Sequence, residues 1–146
     1  MPLGIPESMR EEHEELHREL KRATMIPGKV GESAKRVAEV LHPHFEKENA
    51  IALPELGVAR ELAEGKTSTD FPKALKLCDK FKLEYPEMLK EHVAIVKTLN
   101  ELEKNAEIAK KRSVVEFSKR LKLHAQTEEA LTYPAALMIG KQLKQR

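Results

Sequence analysis

The chain has 146 residues with 26 basic and 24 acidic side chains, so no strong field of one sign favours nucleic acid or an anionic membrane surface. Aromatic residues make up 4% and Trp is absent, which argues against a base-stacking surface; 34% charged residues among many Ala, Leu, Glu and Lys is helix-bundle composition. Cys78 is alone, residues 1–8 lack the regions of a signal peptide, and no apolar run approaches the ~18 residues that span a bilayer, so one cytoplasmic domain over 1–146 is expected.

Met1 to Glu7 holds two Pro and one Gly and reads as an extended arm. Ser8-x-x-Glu11 is a capping-box pattern that predicts the start of a first helix. Its buried stripe is Met9, His13, Leu16, Leu20 and Ala23. Thr24 to Gly31 is a turn signal, with Pro27 and two glycines. A second helix is predicted from about Glu32 or Ser33 to Leu53, kinked at Pro43 and ended or bent by Pro54 and Gly57. Between residues 55 and 86, Val58 to Glu64 suits a short helix and Gly65 to Asp70 a loop. Phe71 to Leu83 has helical spacing and either leads into a third helix through Pro86 or stands apart. That third helix is predicted over Pro86 to Ala109, with Met88, His92, Ile95, Leu99 and Leu102 on its stripe. Ser113-x-x-Glu116 repeats the capping box and starts a fourth helix, which Pro134 interrupts before a terminal extension over Ala135 to Gln145.

The chain repeats itself. His44 to Pro54 reads HFEKENAIALP, and 80 residues on, His124 to Pro134 reads HAQTEEALTYP. Each begins His-x-x-x-Glu, as His44 with Glu48 and His124 with Glu128, and an i, i+4 pair lies about 40° apart on one helical face. The apolar stripes match too: Ala34, Val37, Leu41, His44, Glu48, Ile51 against Val114, Phe117, Leu121, His124, Glu128, Leu131. Helices one and three correspond at an offset of 79, His13 with His92, and each of these histidines follows a Glu, Glu12 or Glu91. The plan is two similar helical hairpins, which suits an antiparallel up-and-down four-helix bundle with short extra helical segments.

Both His-Glu pairs occupy stripe positions where a packed helix carries leucine. An unpaired buried carboxylate costs several kcal/mol, so such a group neutralises, pairs or binds a metal. In antiparallel hairpins, residues equally far from the turn stand level. His13 with His44 and His92 with His124 meet that condition, so His13, His44, Glu48, His92, His124 and Glu128 are expected to collect at one end of the bundle. Four imidazoles and two carboxylates suit first-row metals better than Ca²⁺ or Mg²⁺ and are too many for one tetrahedral zinc. Two cations bridged by Glu48 and Glu128 fit the count.

These elements resemble the hemerythrin-like family, the HHE cation-binding domain. The resemblance rests on His13, His44-x-x-x-Glu48, His92 in Glu-His-x-x-Ile, and His124-x-x-x-Glu128 with its Glu-Glu-x-x-x-x-Pro tail, and covers about residues 9–137. It implies an up-and-down bundle around two non-haem irons bridged by carboxylates and an oxo or hydroxo group. It implies binding, delivery or sensing of O₂, or handling of NO, peroxide or iron. Oxygen-carrying members have His-x-x-x-His on helix three, where this chain has Val96, and His-x-x-x-x-Asp on helix four, where it has Glu129. The shorter His124–Glu128 spacing is closer to the iron-sensing and bacterial branch.

Other readings stand beside this one. His17, one turn from His13, and Glu129, next to Glu128, are further candidates for the metal or its surroundings. His42 reads as exposed or as standing behind the ligands, and Tyr85 and Tyr133 as ordinary packing residues or, alternatively, as lining the ends of the pocket. The expected activity is binding of O₂ or a related small ligand rather than an enzyme's. The alternatives are a di-iron enzyme acting on peroxide, NO or ferrous iron, and a metal-free bundle whose His and Glu form buried hydrogen-bond networks. Monomer or homo-oligomer is left open.

Overall fold

The computed structural model describes residues 3–146, and the regular structure among them is entirely helical. Six α-helices follow in order: α1 (Glu7–Thr24), α2 (Lys29–Lys47), α3 (Ala59–Ala63), α4 (Phe71–Ile108), α5 (Arg112–Thr127) and α6 (Tyr133–Lys144). α1, α2, α4 and α5 are the long members of an all-α bundle, with α1 and α4 each packed against both α2 and α5. α6 packs on the first half of α4, extending the bundle at one end. Among the described residues no helix is long and apolar enough to cross a membrane.

The helix starts differ from the capping boxes. α1 begins at Glu7, with Pro6 as its N-cap and no side-chain cap. The Pro6 carbonyl takes the amides of Met9 (3.0 Å) and Arg10 (3.1 Å), so Ser8 lies inside the first turn. α5 likewise begins at Arg112, before Ser113, with Lys111 as an uncapped N-cap. Of the arm expected over Met1 to Glu7, Met1 and Pro2 lie outside the described residues, while Leu3 and Ile5 pack against the core. Gly57 permits this docking: a Cβ there would stand 2.5 Å from the Gly4 carbonyl oxygen. The turn between α1 and α2 runs through Gly28 at φ 87°, a left-handed conformation that glycine adopts without steric penalty.

Neither internal proline ends its helix. α2 runs through Pro43, and α4 is a single helix of 38 residues through Pro86, so Pro86 does not begin a separate third helix. Each proline deprives the carbonyl four residues earlier of its donor, Glu39 for Pro43 and Lys82 for Pro86. Pro43, Glu39, Pro86 and Lys82 are all exposed, so water reaches the freed carbonyls.

The duplicated tails carry the main departure. α2 passes into a π-helical turn over Glu48–Ala52, and α5 into another over Glu128–Thr132. The Leu53 amide bonds the Glu48 carbonyl, and the Tyr133 amide bonds the Glu128 carbonyl, five residues apart in each. A π turn holds an extra residue, so it advances the phase of everything after it. The later stripe therefore does not continue to Leu131, which is 68% exposed, while Ile51 is partly buried against the core, and Ala52, Leu53, Thr132 and Tyr133 are buried. Pro54 and Pro134 then close the segments, Pro54 opening a 3₁₀ turn over Pro54–Val58 and Pro134 standing in the first turn of α6.

The core falls into two apolar clusters. One holds Leu16, Leu20, Leu41, Phe45, Ile95, Leu99, Leu121 and their neighbours. The other holds Leu53, Phe81, Met88, Tyr133, Ile139 and neighbours from α4, α6 and the π and 3₁₀ segments. His13, His44, His92 and His124 sit three or four residues from members of the first cluster, and they form a polar layer between the two.

One buried acid lies outside that layer. Glu55 is 0% exposed, and neither side-chain oxygen has a hydrogen-bond partner. Burial raises its carboxyl from 4.5 to about 7. The folded chain thus keeps a proton that the unfolded chain releases, so stability falls as pH rises from about 4.5 through about 7. The full loss is on the order of 3 kcal/mol above that window. Glu55→Gln, which cannot ionise, is predicted to be less sensitive to pH across this range and to unfold at a higher temperature than the parent at pH 8. Thermal unfolding of both proteins over a pH series measures the difference.

Candidate metal centre

His13 on α1, His44 on α2, His92 on α4 and His124 on α5 turn their imidazoles into the layer between the clusters. Glu48 and Glu128 enter it from the first residues of the two π turns. His13, His44, Glu48, His92 and Glu128 are between 0 and 6% exposed, and the His124 side chain is 13% exposed. The six form two overlapping quartets, His13–Glu48–His124–Glu128 and His44–Glu48–His92–Glu128, with ligand atoms in each within 4.8 Å of one another. Both carboxylates belong to both quartets, the arrangement needed for bridging.

Individual distances show how tight the cluster is. Glu128 Oε1 lies 3.2 Å from His92 Nε2, and its Oε2 lies 3.2 Å from His124 Nε2 and 3.7 Å from His13 Nε2. Glu48 Oε2 lies 3.3 Å from His44 Nε2, and its Oε1 lies 3.6 Å from His13 Nε2. His44 Nε2 and His92 Nε2 are 3.0 Å apart. Two nitrogens that both face a cation cannot also serve each other well, since at most one can donate.

Behind the ligands stand acids that hold the rings. His44 Nδ1 meets Glu91 at 2.7 Å, His92 Nδ1 meets Glu129 at 3.2 Å, and His124 Nδ1 meets Glu12. Glu91 is in turn gripped by Lys47 at 2.6 Å. A carboxylate on Nδ1 directs the Nε2 lone pair to the cation side and makes it more basic. His13 lacks such a partner; its Nδ1 is orphaned, and its ring instead stacks on Phe45 with centroids 4.1 Å apart. Glu12 and Glu91 are the glutamates that precede His13 and His92, and each supports a histidine on another helix.

The charges of the cluster suit a cation site. Burial works to raise Glu128, yet bonds with His124, His13 and His92 hold it well below the usual carboxylate range. Glu48 is raised by burial and by the Glu128 charge. The two titrate as a pair. Burial works to lower His124, but its bond with Glu128 and the charges of Glu128, Glu12 and Glu48 lift it to about 9. His44 is raised likewise, against burial, by Glu48 and Glu91. Glu48 Oε1 is buried without a hydrogen-bond partner. A cation held in that quartet would satisfy it, so the residues fit a metal pair, and the mixed nitrogen and oxygen donors fit a first-row metal.

The two further candidates are placed elsewhere. Glu129 sits behind His92, with its side chain 42% exposed. His17 is exposed and faces His42, their ring centroids 5.7 Å apart. Tyr133, by contrast, enters the cluster. It is fully buried, its hydroxyl donates to Glu48, and its oxygen lies 3.1 Å from His92 Nε2 and 3.2 Å from His44 Nε2. Burial and the charges of Glu48 and Glu128 push its hydroxyl far above the usual tyrosine range. Uninterrupted α-helical phase from His124 gives no sign of this placement; the π turn produces it. Tyr85 stays a packing residue, edge-on to Tyr133 at 6.0 Å.

Comparison with family models, with curated proteins and with solved structures finds no match for this chain.

Added Co²⁺ or Zn²⁺ is predicted to raise the thermal midpoint of metal-free protein, and a chelator to reverse the gain, because the native state alone assembles the six donors. Glu12→Gln and Glu91→Gln are each predicted to weaken cation binding about 10–100-fold while leaving the fold intact. Calorimetric titration of the metal-free proteins measures both constants.

Proposed function

We propose that the chain is a hemerythrin-like protein: an up-and-down four-helix bundle holding two non-haem irons, bridged by Glu48 and Glu128, that binds O₂ or a related small ligand for storage, delivery or sensing. The observation that carries the reading is the pair of quartets that share both carboxylates and are buried between two apolar clusters. The packing of α1 and α4 against both α2 and α5 supports the bundle assignment. The choice of iron over other first-row metals rests on the sequence resemblance. When bound, a reduced iron pair supplies the electrons that let a small ligand such as O₂ be held reversibly.

The protein's own part is to hold, neutralise and exclude. Glu48 and Glu128 offset two of the positive charges and fix the spacing of the pair. Glu91, Glu129 and Glu12 orient three imidazoles, and Phe45 braces the fourth. The apolar residues on either side keep water scarce, which slows loss of a reactive ligand. Approach is from the His13 and His124 side. One cleft of about 360 Å³ includes His13, Phe45 and Asn49 in its lining. Another of about 390 Å³ includes Leu16, Leu123 and His124.

A second reading, an enzyme acting on peroxide, NO or ferrous iron, is favoured by one observation. Such chemistry needs a proton at the metal pair, and the Tyr133 hydroxyl carries one into the cluster on Glu48.

Purified protein is predicted to contain two irons per chain and, when oxidised, to show oxo-to-iron charge-transfer bands in the near ultraviolet and visible. The reduced form is predicted to give an O₂ adduct that reverses under vacuum. Metal analysis with optical titration tests both statements. Catalytic turnover of peroxide or NO without a stable adduct would favour the enzyme, and protein that takes up no metal would leave a plain helical bundle.

A further inference from the structure

We propose that the oxygen of Tyr133 is itself a metal ligand, completing the His44–His92 position and leaving the His13–His124 position as the one that exchanges small ligands. This rests on the metal-pair reading and sharpens it, because it makes the two cation positions chemically different.

The first argument is placement. Tyr133 is 0% exposed, and its oxygen contacts three of the four donors of one quartet: Glu48 by a hydrogen bond, His92 Nε2 at 3.1 Å and His44 Nε2 at 3.2 Å. Donor atoms about 3 Å apart are neighbours in the coordination shell of a cation whose bonds are about 2 Å long. A phenol with only a structural role needs one acceptor; this one stands among three atoms that all face the cation. No corresponding contact joins Tyr133 to His13 or His124, so the oxygen belongs to one position.

The second argument comes from the chain's own duplication. Residue 133 corresponds to residue 53, with the same His-x-x-x-Glu, the same π turn and the same following proline. In the earlier copy the place is Leu53, which is 1% exposed and apolar. The backbone thus presents equivalent places near the two ends of the pair, and only one carries a donor. One position has two imidazoles, two shared carboxylates and a phenol. The other has two imidazoles and the same carboxylates.

Exposure agrees with this division. His44 and His92 are each 2% exposed, and both have an acid behind the ring. The His124 side chain is 13% exposed, and His13 and His124 each line a surface cleft. The donor-poor position is the accessible one. On coordination the Tyr133 O–H bond breaks, an oxygen–metal bond forms and the proton passes to solvent; no electron moves.

Ferric phenolates absorb in the visible, which gives a readout independent of ligand binding or turnover. Ferric-loaded protein is predicted to show a phenolate-to-iron band that Tyr133→Phe lacks and Tyr85→Phe keeps; the chain has no other tyrosine. Resonance Raman excitation in that band, on parent protein grown with ring-deuterated tyrosine, is predicted to shift the phenolate ring modes, which needs no variant to fold. Two irons without the band, or a band that survives Tyr133→Phe, overturns the proposal while leaving the metal pair standing; Tyr133 is then a phenol, as the enzyme reading requires. Failure of the parent to bind iron overturns the proposal together with the reading beneath it. Azide added to the ferric parent is predicted to bind and leave the phenolate band in place, because it enters at the His13–His124 position; loss of that band as azide binds would place exchange at the wrong end.

Discussion

Two carboxyl groups are packed at the centre of this bundle with almost no access to water. Taking one carboxylate out of water costs several kcal/mol unless it is compensated, and two within reach of the same imidazoles repel as well. Much of the molecule can be understood as an answer to that problem. Four imidazoles surround Glu48 and Glu128, three of them are backed by further acids, and Lys47 anchors one of those acids. These partners hold Glu128 low and raise His44 and His124, while burial and the Glu128 charge raise Glu48. The same donors suit first-row cations.

The polar layer also shapes the core around it. It divides the apolar interior into two clusters, so neither can be a continuous heptad seam. The first cluster is an ordinary bundle core made by the stripes of α1, α2, α4 and α5. The second closes the end of the bundle beyond the ligands, where α2 and α5 place none of its apolar residues. The first half of α4, α6, the 3₁₀ turn and the arm at Leu3 and Ile5 supply the rest. A buried, partnerless Glu55 in that cap is a local concession in stability, and nothing in its surroundings offsets it.

The duplication makes the two halves alike at the clustered side chains and unlike just beyond them. His-x-x-x-Glu, the π turn and the proline recur in both copies. The residues just beyond differ: Leu53 against Tyr133, Glu55 against Ala135. A π turn that begins at Glu48 and another at Glu128 aim the carboxylates and, five residues later, set which side chain returns to the layer. Differences between the two quartets are therefore written into a few positions that follow those turns.

The helical class, the repeated hairpin and the six polar stripe positions were legible in the sequence, because helix periodicity and ligand spacing are local and survive without a structure. Glu12 and Glu91 were visible as glutamates preceding paired histidines. Their service to His124 and His44, on other helices, was not, because that contact crosses the bundle. The capping boxes placed two N-caps two residues late, at Ser8 and Ser113, since Pro6 and Lys111 already supply the carbonyls that open those helices. Pro86 looked like a boundary because sequence cannot tell which carbonyl faces water; in the fold the affected one does, and α4 continues. The stripe from Glu128 to Leu131 failed for a similar reason. A proline six residues after the glutamate admits several local solutions; in the fold a π turn exposes Leu131 and brings Tyr133 inside, where α6 packs on α4. Residue order by itself determined which groups can reach the centre; the closing of the far end of the bundle decided which of them do.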